Sequence, residues 1–159
     1  MIKTAIGQDS HRFETEDLTK PLILGGVIIP NEVGLAGNSD ADVILHALTN
    51  AISGITTVNI LGAKADELCL GKGIKDSNVY LQKALEYLDG YKIMHVSFSV
   101  EAKKPKMSPH IDKIRENVAK LLGISANCVA MTATSGEELT DFGRGLGVQV
   151  FVVITAQKL

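Results

Sequence analysis

The sequence is poor in aromatic residues, in cysteine and in long apolar runs. It has no tryptophan and only 4% aromatic residues, which argues against a base-stacking platform for single-stranded nucleic acid. Its two cysteines, Cys69 and Cys128, lie far apart without paired spacing, which fits a reducing cytosol better than a disulfide scaffold. The most apolar stretch, Val148 to Ala156, is too short to span a bilayer.

The sequence also lacks an excess of charge of either sign. The formal net charge is −2, so we expect neither a general nucleic-acid partner nor a membrane surface. The first residues lack the long apolar core of a signal peptide. We therefore expect a soluble, cytoplasmic protein, and its 159 residues predict one domain spanning residues 1–159.

A helix with a polar entrance is predicted over Gly37 to Ile52. Ser39 or Asp40 can cap its first turn, and Ser53-Gly54 provides its end. The helix is apolar nearly all round, so it should be buried in the core or against another subunit. His46 lies in the middle of this helix, where a lone histidine is commonly a core residue hydrogen-bonded to a carbonyl.

Asp9 and His11 change the interpretation of His46. They lie two residues apart on a predicted strand, so their side chains point to the same face. Taken alone, an Asp-x-His pair most often consists of two polar side chains at the protein surface that bind no ligand. Combined with His46, it forms a candidate metal site with three ligands, which suits zinc and leaves a position open for a substrate oxygen.

The remaining patterns predict an α+β protein: a mixed β-sheet with helices packed on one face and a ferredoxin-like topology. A long loop over residues 55–76, with one helical turn near Ala65 to Leu68, is expected to be mobile. The predicted strands are Lys3 to Phe13, Leu22 to Ile29 with a Gly-Gly bulge or turn, Ile93 to Ala102, Asn127 to Thr134 and Gly147 to Gln157. The other predicted helices are Ser77 to Leu88, and one that Ser108 caps and that runs from Pro109 to Leu122.

Three further stretches are candidates for phosphate and nucleotide binding. Small hydroxyl side chains, a glycine and a carboxylate follow a strand end at Ala133 to Glu137, a combination that can hold phosphate oxygens and a hard cation. Arg144 lies between glycines, as a phosphate contact would. The proline-containing stretch Lys103 to His110 can present its backbone to a flat ligand. Each stretch, taken alone, is also compatible with an ordinary turn.

Together these motifs resemble the 2-C-methyl-D-erythritol 2,4-cyclodiphosphate synthase family, in the same order and near the same spacing across the whole chain. The motifs are Asp9-x-His11, Ser39-Asp40-x-Asp42-Val43-x-Leu45-His46-Ala47-Leu48, Pro105-Lys106-Met107-x-Pro109-His110-Ile111, Ala133-Thr134-Ser135-x-Glu137 and Gly143-Arg144-Gly145-x-Gly147.

The resemblance implies a metal-dependent phosphorus–oxygen lyase of non-mevalonate isoprenoid biosynthesis. Such an enzyme converts 4-diphosphocytidyl-2-C-methyl-D-erythritol 2-phosphate to the cyclic diphosphate and CMP. It also implies a homotrimer with active sites between neighbouring subunits. No nucleic acid and no membrane are expected as partners.

The resemblance also implies a role for individual residues. Asp9, His11 and His46 resemble the ligands of zinc or another divalent transition metal, and Glu137 resembles the carboxylate that holds magnesium or manganese with the substrate. Asn38, Ser135 and Glu137 match the catalytic positions. The expected substrate-binding residues are Asn38, Ser39, Gly62, Asp66, Ala102, Lys106, Met107, Ser108, Ala133, Thr134, Ser135 and Arg144.

The chain departs from the family pattern on the side that would hold the erythritol. Asn38 stands where members usually have histidine, Ile60 where they have aspartate, and Thr132 where lysine is common. Asp66 or Glu67 would then take over recognition of the diol. Two alternatives stay open: a non-catalytic trimer that binds a cytidine nucleotide or an isoprenoid diphosphate, and a zinc-stabilised structural protein.

Overall fold

The computed structural model describes the backbone of residues 1–159 and every side chain in that range except that of Leu68. In chain order the elements are β1 (Ile2–Arg12), β2 (Pro21–Leu24), β3 (Val27–Val33), α1 (Val43–Thr56), α2 (Ala63–Asp66), α3 (Ser77–Leu85), β4 (Tyr91–Glu101), α4 (Ile111–Leu122), β5 (Val129–Thr134) and β6 (Gly147–Lys158). A π-helical turn, Glu67–Gly71, follows α2, and a 3₁₀ turn, Ala126–Cys128, precedes β5. None of the described helices is long and apolar enough to cross a membrane.

Four strands form the main sheet in the order β1, β6, β4, β5. Strand β6 pairs antiparallel with both β1 and β4, whereas β4 and β5 run parallel. The sheet is therefore mixed, and together with its helical connections it confirms the α+β class predicted from the sequence.

The expected ferredoxin-like topology is wrong. In that topology, β-α-β-β-α-β, a helix connects the last two strands. Here the last two strands are joined by residues 135–146, which form turns. The physical reason is close backbone packing, because a Cβ built on Gly136 would lie 2.7 Å from the Cα of Gly143. These glycines build a tight loop where a ferredoxin-like chain has its second helix.

The core lies on one face of the sheet. Along β6, Val148, Val150, Val152 and Ile154 are buried, whereas Phe151 and Val153 on the opposite face are partly exposed. Helix α1 packs across β1 and β6, and α4 packs on β5. The helices thus cover a single face, as predicted, and the second face of the sheet is uncovered in the single chain.

Strands β2 and β3 form a separate hairpin. The sequence predicts one strand from Leu22 to Ile29 with a bulge or turn, and the structure shows a turn that splits it in two. Gly25 and Gly26 both have positive φ, 62° and 77°, which glycine adopts at little cost.

Helix α1 begins later than predicted. Its cap is Asp42, whose carboxylate accepts from the backbone N–H of Leu45, and neither Ser39 nor Asp40 caps it. The helix continues past Ser53-Gly54 to Thr56 and ends at Thr57 in a left-handed conformation. Most of its residues are buried by the chain's own strands and helices. Burial against another subunit is therefore not needed to explain its apolar faces.

Three other predicted regions differ in their bounds. The 55–76 segment is more helical than predicted, since α2 continues directly into a π-helical turn. Helix α3 ends at Leu85 instead of Leu88. Helix α4 begins at Ile111, and no side chain caps it, so the predicted Ser108 cap is wrong.

Candidate metal centre and active site

Three side chains from two elements meet where α1 crosses β1. Asp9 and His11 share the face of β1 that carries Gly7, and a Cβ built on Gly7 would lie 2.0 Å from the carbonyl oxygen of Ala47. Helix α1 therefore packs against bare backbone, which brings His46 beside the strand. The Nδ1 of His46 lies 3.2 Å from Oδ2 of Asp9 and 3.3 Å from Nε2 of His11. The Nε2 of His11 is 2.9 Å from the same Asp9 oxygen.

The second ring nitrogen of each histidine is also occupied. The Nδ1 of His11 lies 2.9 Å from the carbonyl oxygen of Ala36. A carbonyl only accepts, so this nitrogen carries the proton and leaves Nε2 directed at the site. The Nε2 of His46 lies 2.8 Å from the hydroxyl oxygen of Ser77.

The electrostatics of the cluster favour an ion pair when no metal is bound. Burial raises the pKa of Asp9, but hydrogen bonds with His11 and His46 outweigh burial, so that pKa lies below its ordinary value. Burial lowers the pKa of His11, but the hydrogen bond with Asp9, the negative charge of Asp9 and the hydrogen bond with the Ala36 carbonyl together outweigh burial, and the net shift of that pKa is upward. The site thus concentrates negative charge on Asp9 and draws positive charge toward it.

The three residues fit a divalent metal ion. One ligand atom from each lies within 4.8 Å of the others. Zinc bonds to nitrogen and oxygen of about 2.0–2.2 Å place tetrahedral ligand atoms about 3.4 Å apart, close to the separations seen here. Two imidazoles and one carboxylate leave a coordination position free. The metal-binding group predicted from the sequence is therefore present as a cluster in the structure.

A cavity of about 240 Å³ opens beside this cluster. Its volume of about 240 Å³ lies below the roughly 300–1,000 Å³ of pockets that enclose a whole small ligand, so it is too small to enclose a nucleotide-sized molecule completely. Four predicted substrate-binding residues line it: Asn38, Ser39, Gly62 and Asp66.

The lining of this cavity shows which residues can face a ligand on the side where the chain departs from the family pattern. Ile60 is fully buried in the core and does not line the cavity. Asp66 lines the cavity on α2, whereas Glu67 does not. Of the two carboxylates suggested for diol recognition, Asp66 is the one in position.

Sequence reasoning missed three residues that bring an amide, a thiol and a phenol to the lining of the same cavity: Asn50, Cys69 and Tyr80. The Cys69 thiol donates to the carbonyl oxygen of Asn38 at 3.4 Å. Burial raises the pKa of Tyr80 to about 12, and the neighbouring Cys69 adds to this rise. Asn50 follows His46 by four residues, so helical periodicity places both on one face, which was a usable signal. Cys69 gave none, because the 55–76 segment has no periodicity that places it over the site. Tyr80 gave none either, because the sequence does not indicate that α3 packs against α1.

A second cavity, of about 450 Å³, is formed where β4 and β5 end and α4 begins. It brings together most of the predicted nucleotide-binding residues: Ala102, Lys106, Met107, Ser108, Ala133, Thr134 and Ser135. Met107 and Ala102 are buried, while the Lys106 side chain is exposed. Apolar walls beside hydroxyls and an ammonium suit a flat base joined to phosphates.

The two cavities share no lining residue within one chain. β1 and β5 lie at opposite edges of the sheet, about 14 Å apart at the usual strand spacing of roughly 4.8 Å.

Glu137 and Arg144 do not join the metal cluster. Glu137 lies in the glycine-rich loop beside Lys103 and Ser135. The Arg144 guanidinium donates to the carbonyl oxygen of Glu138 at 3.2 Å and to the Asp141 carboxylate at 2.8 Å, and it lines neither cavity. The functional roles of both residues stay predictions.

The fold and this site define an α+β protein with a cluster of three candidate metal ligands beside a polar cavity. The chain belongs to the YgbB family, whose model matches residues 2–157. It is 49% identical over 157 residues to 2-C-methyl-D-erythritol 2,4-cyclodiphosphate synthase of Chlamydia muridarum, covering 98% of this chain and 88% of the relative.

Two solved structures are similar to the whole chain. The bifunctional IspDF of Campylobacter jejuni matches with a TM-score of 0.90 and 27% identity over 100% of this chain, which spans 43% of the bifunctional chain. The CDP complex of IspF from Plasmodium falciparum matches with a TM-score of 0.81 and 28% identity, covering 99% of this chain and 96% of that one.

Proposed function

We propose that this protein is a 2-C-methyl-D-erythritol 2,4-cyclodiphosphate synthase, a metal-dependent lyase of isoprenoid precursor biosynthesis. It would convert 4-diphosphocytidyl-2-C-methyl-D-erythritol 2-phosphate to the cyclic diphosphate and CMP. The observation that carries the proposal is the Asp9, His11 and His46 cluster on a polar cavity, in a chain 49% identical to an enzyme of that name. The cytoplasmic location stays a prediction from the sequence.

The reaction needs two anionic phosphates held together more than it needs covalent help from the protein. An oxygen of the 2-phosphate attacks the β-phosphorus, and the bond from that phosphorus to the bridging oxygen breaks, so the oxygen leaves with CMP. A divalent ion, which we propose is zinc, supplies charge neutralisation and polarisation at the β-phosphate when bound. Asp9, His11 and His46 would hold it.

The second cavity would hold the cytidine diphosphate part. Ala102 and Met107 provide its buried apolar wall and Lys106 a positive charge near the phosphates. Ala133, Ser108 and the hydroxyls of Thr134 and Ser135 would complete the contacts to base and phosphate. The similar structure of IspF from Plasmodium falciparum is a CDP complex, which supports this assignment.

Glu137 and Arg144 would act with substrate present. We propose that the exposed Glu137 carboxylate helps hold magnesium or manganese between the phosphates, and that Arg144 exchanges an intrachain contact for a phosphate. Glu137 lines a small pocket with Ser135, which also lines the second cavity, and Arg144 follows on the same glycine-rich loop.

On the erythritol side, Asp66 would bind the diol from the wall of the metal cavity, next to Gly62 and Ser39. Asn38 lines the same cavity and cannot carry the positive charge of a protonated histidine. We therefore expect weaker binding of the 2-phosphate than in members with histidine at this position.

A homotrimer would complete the active site. The metal cavity and the nucleotide cavity lie at opposite sheet edges of one chain and share no residue. Placing the metal half of one subunit against the nucleotide half of its neighbour would bring the two ends of the substrate to their pockets.

The test is release of CMP from the authentic substrate, measured with zinc-loaded protein and magnesium. We expect metal-dependent CMP release, a higher rate or tighter substrate binding in Asn38→His, and a large loss in Glu137→Gln. Glu116→Gln, which changes an exposed carboxylate on α4, is the matched control and should behave as the wild type.

The alternative function is a non-catalytic protein that binds a cytidine nucleotide, and the replacement of histidine by Asn38 favours it. Binding of CDP without any CMP release, even in Asn38→His at high protein concentration, would establish this alternative. Failure of CDP itself to bind would exclude both functions, because both depend on the Lys106 cavity.

A further inference from the structure

The ring of His46 makes its remaining contact on the side that faces away from Asp9 and His11. Its Nε2 lies 2.8 Å from Oγ of Ser77, the fully buried first residue of α3. Ser77 in turn makes two hydrogen bonds to the carboxylate of Asp40. Its backbone N–H donates to Oδ2 at 3.0 Å, and its hydroxyl bonds to Oδ1.

The direction of these hydrogen bonds follows from what each group can do. A carboxylate accepts hydrogen bonds and cannot donate them. The Ser77 hydroxyl proton therefore points to Asp40, and its oxygen offers only lone pairs to His46. At this contact His46 is the donor, with its proton on Nε2. The Asp9 carboxylate, 3.2 Å from Nδ1, competes for that proton, but the contact from Nε2 to Ser77 is shorter, at 2.8 Å. In the neutral ring Nδ1 then has a free lone pair, and Nδ1 is the nitrogen that faces Asp9 and His11.

We propose that Asp40 and Ser77 are positioning residues that hold His46 in the Nε2–H tautomer, with its Nδ1 lone pair directed at the metal site. The inference rests on the metal site of the proposed function. Histidine ligands commonly donate their second N–H to a partner that fixes the tautomer and the ring orientation, and loss of such a partner lowers metal affinity about 10–100-fold.

Asp40 is itself held in place by the backbone on both sides. Its N–H donates to the carbonyl oxygen of Lys75 at 2.8 Å, and its Oδ1 accepts from the N–H of Asp42 at 3.1 Å. The loop before α1 and the start of α3 are thus joined at Asp40. The position of the His46 ring depends on both, although neither segment contributes a metal ligand.

The wild-type protein provides the first test. In metal-free protein labelled with ¹⁵N, at a pH where the ring is neutral, the ring nitrogen shifts of His46 report which nitrogen carries the proton. We expect the proton on Nε2. A proton found on Nδ1 would overturn the proposal without any variant.

The second test compares zinc affinity, measured by chelator competition, in matched variants. Ser77→Ala should bind zinc about 10–100-fold more weakly than the wild type, and Ser77→Thr, which keeps the hydroxyl, should recover most of the loss. Ser53→Ala is the control, because Ser53 is a buried serine on the same helix as His46 whose hydroxyl has no hydrogen-bond partner among the described residues. It should bind zinc as the wild type does.

Asp40→Asn tests the direction of the hydrogen bonds. An amide NH₂ can donate to the Ser77 oxygen, which frees the hydroxyl proton for Nε2 of His46. We expect the His46 proton to shift toward Nδ1 and zinc affinity to fall, with a spectroscopic change that a merely structural role would not produce.

The outcomes separate this inference from the proposed function. Unchanged zinc affinity in Ser77→Ala overturns the positioning role, whatever the CMP assay shows. Weaker zinc binding in Ser77→Ala, in a protein that releases no CMP, supports the positioning role and contradicts the catalytic function. A wild-type protein without affinity for divalent metals would contradict both the positioning role and the proposed catalytic function.

Discussion

At the scale of single residues, His46 is the ligand that connects the two elements of the metal site. It is largely buried and its Nδ1 lies within 3.3 Å of both other ligands. We predict one zinc per chain in the wild type and no stoichiometric zinc in His46→Ala, because two ligands on one strand leave the ion poorly held. Elemental analysis of protein purified without chelators measures this.

The control for this variant is His95→Ala, which removes an exposed histidine of β4 far from the cluster. It should keep one zinc per chain. A wild type that contains no divalent metal, or a His46→Ala protein that retains it, would contradict the assignment of the ligands.

Asp42 is a second buried polar residue with a measurable effect. Its carboxylate accepts from the backbone N–H groups of Gly25, Gly26 and Leu45, which ties the β2–β3 hairpin to the start of α1. Burial raises the pKa of Asp42 to about 6 in spite of these hydrogen bonds, and the nearby Asp40 adds to the shift. The folded protein therefore binds the proton of Asp42 more tightly than the unfolded chain does.

This shift predicts the pH dependence of stability. Between about pH 4 and pH 6 the folded state keeps a proton that the unfolded state has lost, so the contribution of Asp42 falls as pH rises. About two pKa units correspond to roughly 3 kcal/mol. We expect the unfolding free energy of the wild type, minus that of Asp42→Asn, to decrease over this range in denaturant titrations. A constant or increasing difference would contradict the raised pKa.

At the scale of elements, the contact between β1 and α1 sets the geometry of the metal site. A Cβ on Gly7 would lie 2.0 Å from the Ala47 carbonyl oxygen and 2.6 Å from the Ala51 nitrogen. Gly7→Ala must therefore move the helix away from the strand. We predict a loss of about 1–3 kcal/mol in the free energy of unfolding, typical of overpacking, together with weaker zinc binding, since His46 moves with α1.

The matched control is Gly71→Ala, because a Cβ at Gly71 meets nothing within 4 Å. Denaturant titration and zinc competition on the two variants measure both effects. Equal stability of Gly7→Ala and Gly71→Ala would show that α1 does not rest on bare strand backbone.

The elements themselves could be predicted largely from the sequence, because periodicity reports which face of a strand or helix is buried. The period of two placed Asp9 and His11 on the same side of β1, and the apolar run of α1 predicted its burial. The cap of α1 could not be predicted, since Ser39, Asp40 and Asp42 are all good caps. Only the hairpin, which contributes two N–H groups to Asp42, selects among them.

The order of the sheet and the partners of His46 could not be predicted either. Strand order depends on pairing between segments far apart in the chain, and β6 pairs with both β1 and β4. Ser77 reads in the sequence as part of a helix start and nothing more. Its contact with His46 exists only because α3 packs against α1.

At the scale of the whole molecule, the two halves of the site were predicted from the resemblance of five short motifs to one family. The structure brings most of the predicted residues of each half together in a cavity of its own, with Glu137 and Arg144 outside both. A single chain keeps these cavities at opposite edges of its sheet. Completing the proposed site is therefore a property of an assembly.

The uncovered face of the sheet provides a surface for such an assembly. Ile6 and Val153 are direct partners across β1 and β6, and their exposed fractions are 64% and 43%; Phe151, two residues before Val153 on the same face, is 37% exposed. Clustered exposed apolar side chains of this kind commonly mark an interface between proteins. The apolar character of α1 is not an argument for such an interface, because that helix is already buried within its own chain.

We therefore predict a homotrimer of three 17.0 kDa chains, about 51 kDa, in sedimentation equilibrium at micromolar concentration. Val153→Lys should shift the distribution to the single chain, since it places a charge in the middle of the apolar patch, yet it should leave the fold intact because the side chain is partly exposed in one chain. Ile28→Lys, at an exposed position of the β2–β3 hairpin, is the control and should remain trimeric. A wild type that sediments as a single chain would contradict the assembly, and with it the joining of the two cavities between subunits.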